Sequence, residues 1–199
     1  MSSDHAALDA SDNAQRRVLL QVLLLNAGLS VVLLIGGLLS DSSSLLANAL
    51  DNMSDALAYT GSYFAVSKSD KWKRVAAGVT GVMLFVLAIG VILDATRRFV
   101  VGSQPLGPAM ISLAIVATIT NAWSIWLLKK FRQSDVNLRA AWTMSVNDFA
   151  SNLGIFFAGG LVWFLGSNWP DLAVAIGVAL VATYGGVKTL RDVLKQQPT

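Results

Sequence analysis

Two carboxylates, Asp51 and Asp55, lie four residues apart in an otherwise apolar helical stretch, Ser44-Leu-Leu-Ala-Asn-Ala-Leu-Asp-Asn-Met-Ser-Asp55. That interval places both on one face of a helix, where like charges repel unless a cation or a proton sits between them. Intramembrane carboxylates are costly and seldom lack a function. The spacing therefore points to a cation site. A second stretch, Trp142-Thr-Met-Ser-Val-Asn-Asp148-Phe-Ala-Ser-Asn152, repeats the pattern: Met144, Asp148 and Asn152 share one face at a four-residue period, with Ser145 beside them. Carboxylate and amide oxygens are hard donors and the Met144 thioether is a soft one, so the candidate set is oxygen-dominated. Asp51, Asp55 and Asp148 are its core, and Met144, Asn48 and Asn152 are further candidate ligands.

The elements that must position these residues are membrane helices. Of the 199 residues 54% are apolar and 14% charged, and the mean hydropathy is +0.59, against about 25% charged residues in ordinary soluble domains. Six apolar segments of spanning length are expected, at about 18–39, 44–66, 75–99, 107–128, 140–165 and 171–190, giving an all-α six-helix membrane bundle. Residues 1–17 are expected as an N-terminal cytoplasmic tail, 18–190 as the membrane domain, and 191–199 as a short cytoplasmic tail with no C-terminal cytoplasmic domain after it. Thirteen of the fifteen basic residues fall where both termini are cytoplasmic. Arg97 and Arg98 disagree, and are expected to snorkel from a helix end. In this topology Asp51 and Asp55 lie about 10 and 16 Å below the outer edge of a core about 30 Å thick, and Asp148 about 12 Å above the inner edge. Asp55 and Asp148 then share a depth.

Other features carry blander readings. With no cysteine, disulfides and thiolate metal sites are excluded. The single histidine, His5, stands with Asp4, Asp9 and Asp12 in a terminus expected to be disordered. Asn26 and Asn121 are read as packing or pathway polars, and Asp41, Asp94 and Asp171 as caps near helix ends. The paired glycines 36–37, 159–160 and 185–186 suit close helix approach. Trp72, Trp163 and Trp169 are expected as interfacial anchors. The net charge of +3 is a topology signal rather than a nucleic-acid one, and no nucleophile and base pair suits a hydrolase.

At these residues the chain resembles the cation diffusion facilitator family. Ser44–Asp55 looks like the family's second-helix signature, and Ser145-Val-Asn-Asp148-Phe-Ala-Ser-Asn152 like its fifth-helix counterpart. Lys73-Arg74-Val-Ala-Ala-Gly, Asp94-Ala-Thr-Arg-Arg-Phe, Leu138-Arg-Ala-Ala-Trp142 and Trp169-Pro-Asp171 are similar too. The resemblance implies that Asp51, Asp55 and Asp148 occupy three of four metal-ligand positions and Met144 the fourth. It also implies a homodimer, here held through membrane helices, and a secondary transporter rather than an enzyme. The expected function is proton-coupled export of a divalent cation, Zn2+ foremost with Cd2+, Mn2+, Co2+ and Fe2+ admitted. The metal is cargo and no prosthetic group is expected. The same three aspartates would carry the protons, since metal entry requires deprotonated ligands. The expected location is a bacterial inner membrane, in contact with lipid. A passive cation channel and a non-transporting metal-sensing subunit are the alternatives.

Overall fold

The computed structural model describes the backbone of residues 2–65, 70–132 and 136–195, and side chains from Asn13 onward except at 62, 64–65, 70–77, 80, 84, 136–137, 140, 185–186, 188–190 and 192–195. Its six helices are α1 (Ser2–Leu39), α2 (Ser43–Ala65), α3 (Asp70–Val101), α4 (Gly107–Leu128), α5 (Val136–Leu165) and α6 (Trp169–Lys195). All six expected segments are helices. Among the described residues, three of them hold stretches long and apolar enough to cross a membrane, Asn13–Leu39, Gly107–Leu128 and Ala141–Leu165, with a shorter apolar stretch at Trp169–Tyr184. Outward-facing side chains such as Leu38, Val86, Ile119, Phe157, Phe164 and Leu180 are apolar and exposed, as a lipid-facing surface requires.

The residues expected as a tail continue α1, which begins at Ser2. Ala6, Ala7, Ala10 and Ala14 are strong helix formers and extend the apolar helix that follows. The side chains of Asp4, His5, Asp9 and Asp12 lie outside the described residues, as does that of Trp72. Trp163 and Trp169 are exposed, in keeping with an interfacial role.

Helices α1, α2, α5 and α4 pack in that cyclic order, each on the next, and close a ring. Helices α3 and α6 pair with each other and dock on α2, with α6 also touching α5. Helix α2 is thus central, in contact with every other helix. The ring holds two apolar clusters drawn from all four of its helices. One contains Leu33, Leu45, Met110 and Ile155, and the other Val22, Tyr59, Leu128 and Leu138. Between them lies a buried polar layer. Ala47, Val91, Ala175 and Val178 form a third core where α2 meets α3 and α6.

Close approach of α4 and α5 needs glycine. A Cβ on Gly107 would come within 2.6 Å of the Gly159 carbonyl oxygen, and one on Gly159 within 2.9 Å of the Met110 Cβ. Gly160 meets open space. Helix α1 ends in a Schellman-type turn with Ser42 N donating to Gly37 O at 3.0 Å. Asp41, at φ 53°, takes the left-handed position usually held by glycine.

That turn anchors a charged network at one end of the bundle. The fully buried Asp171, in the first turn of α6, caps α2 instead of acting only on its own helix. Its carboxylate accepts from Ser42 Oγ (2.6 Å), Ser44 Oγ (2.6 Å), Ser43 N (2.8 Å) and Ser44 N (3.1 Å). These groups belong to the N-terminus of α2, which a carboxylate favours. Ser43 Oγ donates to Asp94 Oδ2 at 2.9 Å, and Arg98 Nε donates to the same oxygen at 2.7 Å. Arg98 also pairs with the Asp41 carboxylate and donates to its carbonyl. The snorkelling expected of Arg98 is therefore corrected. It is nine-tenths buried and neutralised by two aspartates, one of them 57 residues distant in sequence and brought near only by the fold.

Candidate metal centre

The polar layer is assembled by antiparallel helix registers that a few hydrogen bonds fix. Between α2 and α5, Asn48 Nδ2 donates to Asn152 Oδ1 at 2.5 Å, and Tyr59 Oη donates to Ala141 O at 3.3 Å. One turn inward from the first of these, Asn52 and Asp148 come level. Asp55 and Ser145 follow. Between α1 and α2, Ser30 Oγ donates to Ala49 O at 2.8 Å, which brings Asn26 level with the Asn52 region. Asp55, Asp148, Asn26, Asn48, Asn52, Asn121, Ser145 and Asn152 are all buried.

Asp55 and Asp148 therefore face the same layer across the α2–α5 contact, offset by three residues, about 4.5 Å along the helix axes. Both, with Asp51, lie within electrostatic reach of one another. Asp55 Oδ2 and Asp148 Oδ2 are buried without a hydrogen-bond partner. Asp51 is different. Set about 40° round the helix from Asp55 per four-residue step, it is only partly buried and lines a cavity of about 10 Å3 with Ala47, Leu87, Val91, Val178 and Ala182. That space is near the minimum for one water. Asp51 thus occupies the seam between the ring and the α3–α6 pair. Among the described residues no three acidic, histidine or cysteine side chains stand close enough to hold one ion.

The remaining candidates divide by what they touch. The oxygens of Asn48 and Asn152 are committed to hydrogen bonds: Asn152 Oδ1 accepts from Asn48, and Asn48 Oδ1 accepts from Asn52 Nδ2 at 3.2 Å. This pair braces α2 against α5. Met144 packs, partly buried, on the apolar cluster that contains Leu19, Val22 and Leu138. Two residues of the layer escaped the sequence reading, Asn52 and Tyr59. Tyr59 lies beside Asp55 and continues the four-residue period of Asp51 and Asp55, so the signal was present. Its aromatic body suits an apolar core equally well, and it packs in one here.

Comparison with known proteins decides the family. The cation efflux transmembrane domain family matches residues 19–196. The chain belongs to this family. As a cation efflux transmembrane domain it is a membrane-integral domain. It is 24% identical over 196 residues to the cadmium, cobalt and zinc/H(+)-K(+) antiporter of Bacillus subtilis strain 168, covering 92% of this chain and 63% of the relative. It is 27% identical over 204 residues to the zinc transporter ZitB of Escherichia coli K12, covering 96% and 65%. It is 25% identical over 158 residues to the metal cation efflux system protein CzcD of Cupriavidus metallidurans, covering 73% and 50%. The chain thus spans less than two thirds of the length of these relatives.

Proposed function

We propose that this cation efflux domain exports a divalent cation, Zn2+ foremost, from the cytosol in exchange for protons, by alternating access at Asp51, Asp55 and Asp148. The observation that carries the reading is the pair Asp55 and Asp148. Each holds a buried carboxylate oxygen without a partner, in a polar layer sealed by apolar clusters on both sides. A buried carboxylate without a partner is costly. A divalent cation bound between two of them is charge-neutral, and so are two protons, so the two cargoes exclude each other. In this reading Asp51, which lines the cavity at the seam with α3 and α6, passes ions to and from the layer. The names of the relatives, which include zinc, cadmium and cobalt and an H(+) antiporter, support the cargo and the coupling.

Both termini then face the cytoplasm, where the basic residues collect, and the membrane is the bacterial inner membrane. The working unit is a homodimer held by membrane helices. The network of Asp171, Asp94, Arg98 and Asp41 lies at the outer end. The test is flux in liposomes carrying zinc on one side and an imposed pH gradient. Zinc uptake that follows the gradient and shows counterflow supports exchange, and flux without either makes the protein a passive channel. Undiminished flux in Asp55→Ala or Asp148→Ala removes the site.

A further inference from the structure

Six buried side-chain oxygens of the described residues lack a hydrogen-bond partner: Asn26 Oδ1, Asn52 Oδ1, Asn121 Oδ1, Asp55 Oδ2, Asp148 Oδ2 and Ser145 Oγ. They come from all four helices of the ring, and only two are carboxylate. Helix registers put Asn26, Asn52, Asn121 and Asp148 at one depth, with Asp55 and Ser145 about 4.5 Å further along the ring axis. Asn52 and Asp148 are level because each lies four residues from the Asn48–Asn152 bond. Asn121 and Asp148 are level because each lies eleven residues from the close contact of Met110 with Gly159. Helices α1 and α4 are tied by Leu106 N donating to Ser40 O at 2.9 Å. Asn26 is fourteen residues from Ser40 and Asn121 fifteen from Leu106, so these two are level as well.

Their hydrogen bonds fix the amides with oxygen outermost. Asn26 Nδ2 donates to Val22 O at 2.9 Å and Asn52 Nδ2 to Asn48 O at 2.8 Å, which leaves each Oδ1 free. Asn121 has no partner on either side-chain atom, though fully buried. A merely structural asparagine in a membrane bundle bonds across helices, and none of these three does so through its oxygen. The charge balance points the same way. Two carboxylates already neutralise a divalent ion, so the rest of its shell is best supplied by neutral oxygens.

We propose that Asn26, Asn52 and Asn121 are cation ligands, extending the Asp55–Asp148 pair across the ring into an all-oxygen site that accepts a six-coordinate divalent cation such as Mn2+ as well as Zn2+. Six oxygens in octahedral array suit manganese, whereas zinc is content with four donors. This assignment rests on the reading of Asp55 and Asp148 as ligands given above. It revises the expectation for Asn26 and Asn121 from packing polars to donors.

The test is thermal unfolding and calorimetric titration of the purified full chain in detergent, with Mn2+ or Zn2+ alone, for wild type, Asn26→Leu, Asn121→Leu and Asp148→Asn. In the leucine variants the metal-free protein melts at or above the wild-type temperature, because an unpartnered amide is gone. The Mn2+ Kd rises tenfold or more and the Zn2+ Kd rises less. A Mn2+ affinity within twofold of wild type, or a lower metal-free melting point with an unchanged metal response, overturns the assignment. Asn121→Asp, which keeps the oxygen, retains Mn2+ binding; its loss counts against the proposal even where the leucine variant does not fold. If Asp148→Asn abolishes binding while the leucine variants bind Mn2+ normally, only the amide assignment fails. If wild type binds neither ion, or Asp148→Asn changes nothing, the carboxylate site fails with it.

Discussion

Asp171→Ala should destabilise the fold more than any ordinary helix-end substitution. The carboxylate is fully buried and accepts four hydrogen bonds, two from the hydroxyls of Ser42 and Ser44 and two from the backbone N–H groups of Ser43 and Ser44. The hydroxyls can turn to other acceptors, among them each other, since their oxygens are already 3.3 Å apart. The two N–H groups cannot turn. Leaving a buried donor unpaired costs about 1–3 kcal/mol, so the expected loss is about 2–6 kcal/mol, above the range of about 0.5–2 kcal/mol for a simple N-cap. For a chain of this size about 1 kcal/mol moves Tm by about 2–4 °C, which predicts a fall of at least about 4 °C by thermal unfolding in detergent. Asp41→Ala, which removes a partly exposed partner of Arg98, should lose less. A variant Asp171→Ala that melts within 1 °C of wild type would refute the view that α6 clamps α2 through this side chain.

Three further outcomes follow from the packing and the hydrogen bonds. Gly159→Leu should cost about 1–3 kcal/mol through overpacking against Met110 and the Gly107 carbonyl, whereas Gly160→Leu should leave Tm nearly unchanged; equal losses would contradict the α4–α5 contact. Asn48→Ala strips the buried Asn152 oxygen of its donor and should cost about 1–3 kcal/mol. The double variant Asn48→Ala with Asn152→Ala should lose less than the sum of the two singles, and additivity in denaturant titrations would argue against the brace. Met144→Leu should keep the Zn2+ Kd within about threefold, since Met144 packs on an apolar cluster and leucine conserves its volume; a loss above about tenfold in calorimetry would make the thioether a ligand.

The helices were legible, and so was the facing of Asp55 and Asp148 to within about a turn, because both depend on quantities a sequence carries directly, apolar length and rise per residue. The ends of α2, α4 and α5 fall within a few residues of expectation. What was hidden is set by the register and rotation of one helix against another. Asn26, Asn52 and Asn121 are each an isolated amide in an apolar run, and nothing in a single helix says whether its partner is a backbone carbonyl, another amide or an ion. Only the closure of the ring puts the three on one level. The split between Asp51 and Asp55 has the same origin, because a modest rotation on a central helix sends one side chain to α5 and the other to the seam with α3 and α6. Arg98 was half legible: Asp94 lies one turn before it, but Asp41 arrives from the α1–α2 turn.

The central claim is that α2 and α5 hold the transported ion between Asp55 and Asp148. Calorimetric titration of Zn2+ into the purified protein tests it most directly, with Asp55→Asn and Asp148→Asn measured beside wild type at one pH. The account predicts saturable binding in wild type and at least a tenfold rise in Kd in each variant, with the folded state preserved because each asparagine keeps the shape of the side chain it replaces. Wild-type affinity in either variant would contradict it.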